Sequence, residues 1–204
     1  MTTFFRFSLL ILVLGTSCLG MSAQDQAVTF GVKAGVNGSH FGGKLDSQGL
    51  ADINPRFGYN AGVTLDLAFS EHIYLLTGLE FTNKGAYEFR KGKRVSIDAS
   101  YISLPLHFGY KLKIDDNPTF VAHIGPYVAY GVSGKTRVRE LGVKQNTFSA
   151  EGFKKLDFGL GLAVGGEFDK VVVELGHNLG FPDVSQAKEK IRTRNFYTTV
   201  GYKF

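Results

Sequence analysis

The sequence predicts an all-β fold: an eight-stranded antiparallel up-and-down transmembrane β-barrel, preceded by a cleaved signal peptide. Three observations carry that expectation. Apolar residues alternate with small or polar ones at period two in eight successive stretches, the pattern of strands with two unlike faces. The non-apolar face is crowded with glycine; the chain holds 26, about 13%, where ~7% is usual. Aromatics cluster near the two ends of the apolar face, Phe30, Phe69, Tyr110, Phe120, Phe168, Tyr202 and Phe204 at one and Phe57, Tyr59, Tyr87, Phe89, Tyr130, Phe158 and Phe196 at the other, like the aromatic girdles that flank the apolar band of a membrane barrel. A solvated face has no reason to be so small. The interior of an eight-stranded barrel does, because it has room only for small side chains and a few paired charges. The apolar face is therefore expected to turn outward, to lipid.

The N-terminus is read first as an address. Arg6 precedes an apolar run from Phe7 to Leu14, and small residues follow from Gly15 to Ala23, which is the layout of a secretory signal peptide. Residues 1–23 are assigned to it, with cleavage after Ala23, and residues 24–204 to the barrel. Met21 at the minus-three position allows a shift of one to three residues. A lipoprotein reading would use Cys18, but Gly15 stands where such a cleavage box prefers leucine. Cys18 is the single cysteine, so no internal disulfide forms and a structural zinc site lacks ligands. No run of 18 apolar residues exists, so an ordinary transmembrane helix is excluded.

The strands follow in order. The first, Val28 to Asn37, puts Val28, Phe30, Val32, Ala34 and Val36 on its apolar face. The second, Phe57 to Phe69, alternates Tyr59, Ala61, Val63, Leu65 and Leu67 with Gly58, Asn60, Gly62, Thr64 and Asp66. The third, Ile73 to Phe89, presents Leu75, Leu79, Phe81 and Tyr87. The fourth, Ser100 to Leu112, presents Ile102, Leu104, Leu106, Phe108 and Tyr110. The fifth, Thr119 to Val132, presents Phe120, Ile124, Val128 and Tyr130. The sixth, Lys155 to Phe168, presents Leu156, Phe158, Leu160, Leu162 and Val164. The seventh, Val171 to Leu179, presents Val171, Val173 and Leu175. The eighth, Asn195 to Phe204, presents Phe196, Thr198, Val200 and Tyr202.

Connections alternate in length. Short turns are expected at Ser70 to His72, Lys113 to Pro118 and Asp169–Lys170. Long ones are expected at Gly38 to Arg56, Arg90 to Ala99, Ser133 to Lys154 and Gly180 to Arg194. Short periplasmic turns and longer outer loops follow that rule, which places both termini in the periplasm. Pro105 and Pro126 fall inside strands, where a missing N–H implies a bulge or a lost ladder bond.

Four stretches carry a resemblance: Phe30 to Asn37, Tyr101 to Leu106, Gly125–Pro126–Tyr127 and Gly201 to Phe204. Together they resemble the small outer-membrane barrels abundant in Bacteroidetes, often called porin-family or PorT-like proteins. The resemblance implies an outer-membrane barrel. It implies that Phe204 is the terminal aromatic read by the barrel-assembly machinery. It says little of function; a few such proteins resemble accessory parts of a secretion or gliding apparatus.

The inward charges are expected to be Lys33, Lys84, Lys111 and Lys203 against Asp66, Glu80, Asp157, Glu167 and Glu174. Buried charges persist when paired, so a packed lumen without an open pore is the expectation. His107 and His123 face each other across adjacent strands and are a weak metal candidate, with Glu80 as a possible third ligand. The local cluster of Asp, His and Ser types, His40 with Asp46, Asp52, Ser39 and Ser47, lies in a Gly-rich stretch without catalytic spacing. No catalytic activity and no cofactor are expected. The outer loops are basic through Arg90, Lys91, Lys93 and Arg94, through Lys135, Arg137 and Arg139, and through Lys188, Lys190, Arg192 and Arg194. Facing outward, these would meet lipopolysaccharide phosphates. Nucleic acid is the wrong partner for an exported chain, whatever its pI of 9.2. The readings are then a monomeric outer-membrane barrel with a structural, surface-interaction or small-solute role, an accessory part of a secretion machine, or a soluble periplasmic binding barrel.

Overall fold

The computed structural model describes residues 28–42, 53–90, 93–113, 118–138, 143–148, 153–181 and 192–204. The signal segment 1–23, with Arg6, Cys18 and the cleavage position at Ala23, lies outside them. Among the described residues there are nine strands: β1 (Val28–Gly42), β2 (Ile53–Ala68), β3 (Ile73–Arg90), β4 (Lys93–Lys113), β5 (Thr119–Val138), β6 (Val143–Asn146), β7 (Leu156–Phe168), β8 (Val171–Gly180) and β9 (Arg192–Lys203). Every pairing is antiparallel. β4 pairs with β5, and the order continues from β4 through β3, β2, β1, β9, β8 and β7 back to β5, so eight strands close into a barrel. β6 is no stave; it pairs with β5 alone, at Lys135 to Val138.

Closure and the inverted faces have one cause. In hydrocarbon, each unpaired backbone N–H or C=O costs several kcal/mol, so a strand can cross lipid only in a sheet without edges. The outward face must then be apolar: Phe30, Val63, Leu104, Phe108, Ile124, Val164, Leu175 and Val200 all lie exposed. The buried set is rich in polar and charged residues, including Lys33, Asn37, Asp66, Glu80, Lys84, His107, His123, Asp157 and Glu174. A soluble barrel has these two faces reversed, so the periplasmic binding-barrel reading is overturned.

The wall is taller at one end than the alternation suggested. Call the end with Val28 and Phe204 the termini end, and the opposite one the loop end. Segments expected as connections are strand there: β1 continues to Gly42, β2 begins at Ile53, β4 begins at Lys93 rather than Ser100, β5 continues to Val138 and β9 begins at Arg192. Of the connection expected from Arg90 to Ala99, Arg90 and Lys93 to Ala99 are instead paired strand, with Arg90 opposite Lys93 and Tyr87 opposite Ser96. Beyond the apolar band the outward face meets water and needs no apolar residues. There the alternation inverts: Ile97 and Ala99 are buried, whereas the apolar residues of the same strand below, Ile102, Leu104 and Leu106, are exposed.

The aromatics divide between the two faces. Four of the nine tyrosines, Tyr74, Tyr101, Tyr127 and Tyr197, are buried in the lumen and not on the lipid boundary. Each has a glycine directly opposite on the next strand: Tyr74 with Gly109, Tyr101 with Gly131, Tyr127 with Gly159 and Tyr197 with Gly176. At Gly109 and Gly176 a Cβ would fall inside the facing tyrosine ring. At these two positions, glycine leaves room for a large inward ring.

The prolines interrupt the ladder without shifting it. No pairing holds Leu104 and Pro105 to β3, or Leu106 and His107 to Gly125 and Pro126, yet the register is the same on both sides of each gap. Thr77 Oγ1 donates to the Pro105 carbonyl at 2.9 Å across the first gap. The bulge in that hairpin lies elsewhere, at Val132, which is extra between the Ser100–Ser133 and Tyr101–Gly131 pairs. At the termini end, the tight turn between β7 and β8 places Asp169 at φ 55°, a left-handed conformation that Asp tolerates better than most residues.

Two outcomes test this packing. Leu162→Arg, on the outward face, is expected to cost about 2–4 kcal/mol of barrel stability in bilayers, read by denaturant titration. Gly176→Ala is expected to cost about 1–3 kcal/mol by overpacking, and much less in a Tyr197→Leu background, where the ring it strikes is gone.

Candidate functional site

The lumen is where this chain concentrates its chemistry, because strand alternation delivers every second side chain to it. Three polar clusters cross it. At the termini end, Lys203 on β9 lies 2.9 Å from Asp66 on β2 and 2.8 Å from Glu167 on β7. Lys111 on β4 reaches the same Glu167 at 3.3 Å. Both ammonium groups stand over the Tyr74 ring, at 6.0 and 5.3 Å from its centre. A cavity of about 20 Å³ lies beside this cluster, room for roughly one water.

In the middle, Lys33 on β1 pairs with Glu80 on β3 at 2.8 Å, and Thr82 donates to the other Glu80 oxygen at 3.3 Å. Beside them runs a hydrogen-bonded chain. His107 Nδ1 and His123 Nδ1 are 2.9 Å apart, His123 Nε2 is 3.1 Å from Glu174 Oε1, and Thr199 donates to Glu174 Oε2 at 3.3 Å. With Nε2 of His123 donating to the carboxylate, a neutral ring accepts at Nδ1 from His107. Asp66, Glu80, Asp157 and Glu167 each meet a lysine; Glu174 meets a histidine.

Towards the loop end, Lys84 on β3 lies 3.3 Å from Asp157 on β7. The same carboxylate oxygen accepts from Thr193 at 2.9 Å and from Tyr127 at 3.4 Å. The Lys84 ammonium also sits 5.0 Å from the Tyr101 ring centre and 5.4 Å from that of Tyr127. Asn37 and Asn195 join by an amide hydrogen bond of 2.9 Å. Higher still, Arg56 pairs with Asp98 at 2.9 Å. The lumen then closes on an apolar cluster of Ala86, Ile97, Ala99, Tyr101, Tyr127 and Ala129, against which Phe148 and Phe153 pack. Phe148 follows β6 and meets Tyr101 edge-on at 5.5 Å. Thr147 holds it there by donating to the Asp98 carbonyl at 2.8 Å.

These placements sort the candidates. His107 and His123 spend their facing nitrogens on each other, and the carboxylate beside them is Glu174, while Glu80 belongs to Lys33. Among the described residues no group of three or more His, Cys, Asp or Glu is arranged to hold a metal. Of the Asp–His–Ser stretch, Ser39 is buried and bonded to the Gly85 backbone. His40 lies in β1, and Asp46, Ser47 and Asp52 fall outside the described residues. Of the basic residues, Lys135 and Arg137 lie exposed on β5, and Arg192 and Arg194 on β9. Arg90 lies in β3, and Lys93 and Arg94 in β4. Lys91, Arg139, Lys188 and Lys190 fall outside the described residues. Phe204 is exposed, its N–H donates to the Phe30 carbonyl at 2.9 Å, and its ring meets Tyr202 edge-on.

Sequence reasoning passed over Tyr101, Tyr127, Thr193, Thr199 and Phe148. A signal for the tyrosines was available: Tyr101 and Tyr127 sit one position out of phase with the apolar residues of their own strands. Phe148 carried none, since its place depends on a four-residue strand.

Residues 22–186 match the model of a family described as outer membrane protein beta-barrel domain. No curated protein matches the chain. Among solved structures, the chain is similar to Neisserial surface protein A, with a TM-score of 0.50 and 12% identity over 88% of this chain and 100% of that one. It is also similar to outer membrane protein OprG from Pseudomonas aeruginosa, with a TM-score of 0.46 and 13% identity over 88% and 97%. Likeness at such identity speaks for the fold alone.

The Glu174 chain makes a direct prediction. His123→Ala leaves a buried carboxylate without its donor and is expected to cost about 3–5 kcal/mol. Adding Glu174→Gln to that variant is expected to restore most of the loss, as measured by urea unfolding of the lipid-inserted barrel.

Proposed function

Since this chain belongs to the outer membrane protein beta-barrel domain family, we propose that it serves the outer membrane as a structural and surface-interacting barrel, neither a pore nor an enzyme. One observation carries this reading: paired side chains cross the lumen at three levels, from Lys203–Glu167 through Lys33–Glu80 to Lys84–Asp157, and Phe148 packs over the last. A solute path would have to break these buried ion pairs. Eight strands leave an interior just wide enough for side chains to fill. What remains for function is the surface: the outward girdles and the loop end.

The orientation proposed here puts both termini and the short turns in the periplasm, and the loop end outside. The taller wall at the loop end supports it. Secretion by a signal peptide cleaved after Ala23 belongs to the same reading, as does recognition of Phe204 by the assembly machinery. So does the narrower kinship with porin-family and PorT-like barrels of Bacteroidetes, which rests on the stretches named above. Lipopolysaccharide phosphates are the partner proposed for the basic residues.

Planar-bilayer recording of the purified barrel tests the filled lumen. No large steady conductance is expected. A sustained open level in every insertion would contradict the reading.

A further inference from the structure

Among the described residues, the lumen sets five carboxylates, Asp66, Glu80, Asp157, Glu167 and Glu174, against four lysines, Lys33, Lys84, Lys111 and Lys203. Lys33 pairs with Glu80, Lys84 with Asp157, Lys111 with Glu167, and Lys203 with Asp66 and Glu167. Arg56 and Asp98 balance each other. Glu174 is the carboxylate left over. It is buried, and its partners are His123 at 3.1 Å and the Thr199 hydroxyl at 3.3 Å. Neutral donors do not cancel a charge, and a buried carboxylate without a counter-charge is strongly disfavoured.

A second shortage lies at the far end of the same chain. The Nδ1 atoms of His107 and His123 are 2.9 Å apart, a contact that holds one proton between them. With both rings neutral and His123 Nε2–H directed to Glu174, His107 must donate at Nδ1. Its Nε2 is then a bare acceptor. That nitrogen is buried without a hydrogen-bond partner among the described residues, and so is Asn178 Oδ1. The two are neighbours, since each is 2.7 Å from where a Cβ on Gly161 would stand. Two acceptors at one place leave both unsatisfied.

We infer that the chain Glu174–His123–His107–Asn178 is a binding site for one proton, held inside the lumen at neutral pH. The proton adds at His107 Nε2. The one already on His107 Nδ1 passes across the 2.9 Å contact to His123 Nδ1. His123 becomes an imidazolium beside the Glu174 carboxylate. His107 is neutral again, with its N–H at Nε2 and a bare Nδ1 that accepts from His123. The Nε2–H donates to Asn178 Oδ1. One proton thus supplies the missing positive charge and joins the two unpartnered atoms. It also ties β4, β5 and β8 in a single bonded line.

The surrounding groups do not take its place. Lys33 on β1 is held by Glu80 on β3, and Lys203 on β9 and Lys111 on β4 by Glu167 on β7 and Asp66 on β2. Tyr74 and Tyr197 are phenols, neutral at this pH. Opposite His123 and Asn178, β7 brings Ala163 and Gly161. The inference concerns the lumen and does not depend on the surface role proposed above.

Nitrogen-15 NMR of the histidine-labelled full barrel in lipid bilayers at neutral pH reads the site. The expected result is one imidazolium in through-space contact with the Glu174 carboxyl carbon, and one neutral ring protonated at Nε2. A neutral His123 overturns the inference. So does a His107 whose bare Nε2 accepts from the Asn178 amide, since a turned amide and not a proton then joins the two. Asn178→Ala removes the acceptor and leaves Glu174 and both histidines in place. Half-loading of the imidazolium is expected to need about tenfold more protons in this variant. A folded variant that titrates like the parent overturns the four-membered site. If the variant does not fold, as unboiled gel mobility shows, the spectrum of the parent decides.

Discussion

The constraint on which everything else depends is the backbone hydrogen bond in hydrocarbon. A strand that crosses lipid has no water to satisfy its N–H and C=O groups, and each orphan costs several kcal/mol. Closure of β4 on β5 removes the last edge. Once closed at eight strands, the interior is filled largely by side chains, and its charges are held in pairs. The inverted faces, the glycines and the paired lysines are consequences of that closure rather than separate features.

The lumen then poses an electrostatic problem. Removing an ion from water costs several kcal/mol even after relaxation, and one well-placed partner returns only part of it. The solution here is multiplicity. Lys203 serves two carboxylates, and Asp157 takes an ammonium and two hydroxyls on one oxygen. Aromatic faces add to the lysines: Lys84 lies within cation–π reach of two tyrosines. Tyr74 and Tyr197 occupy the space that Gly109 and Gly176 leave open. Packing and charge pairing are therefore one arrangement, and a change in either is felt in the other.

Much of this was legible in the sequence, and the parts that were not share a physical reason. Period-two alternation marks the eight staves and the apolar outward face, because each strand reports its own two environments locally. The inward position of Lys33, Glu80 or Asp157 follows from the same parity. Their partners do not, since Lys84 and Asp157 stand 73 residues apart and meet only through closure. The added height of β4 was hidden because above the membrane the contrast inverts: the apolar residues Ile97 and Ala99 turn inward, while Ile102 and Leu104 below turn outward. Tyr74 and Tyr197 were left unassigned, although each sits one position out of phase with the apolar residues of its strand, which marks it as inward.

The central claim is that β7 presents its even-numbered residues to lipid and its odd-numbered ones to the lumen. The sequence has one cysteine, Cys18, and with Cys18→Ser in place single cysteines report single sites. Spin labels at Leu160, Leu162 and Val164 should collide freely with oxygen dissolved in the bilayer, and those at Gly161 and Ala163 should be shielded from it. Ready quenching at Leu162 and Val164 by a water-soluble paramagnetic reagent, with protection from oxygen, would contradict the inverted barrel.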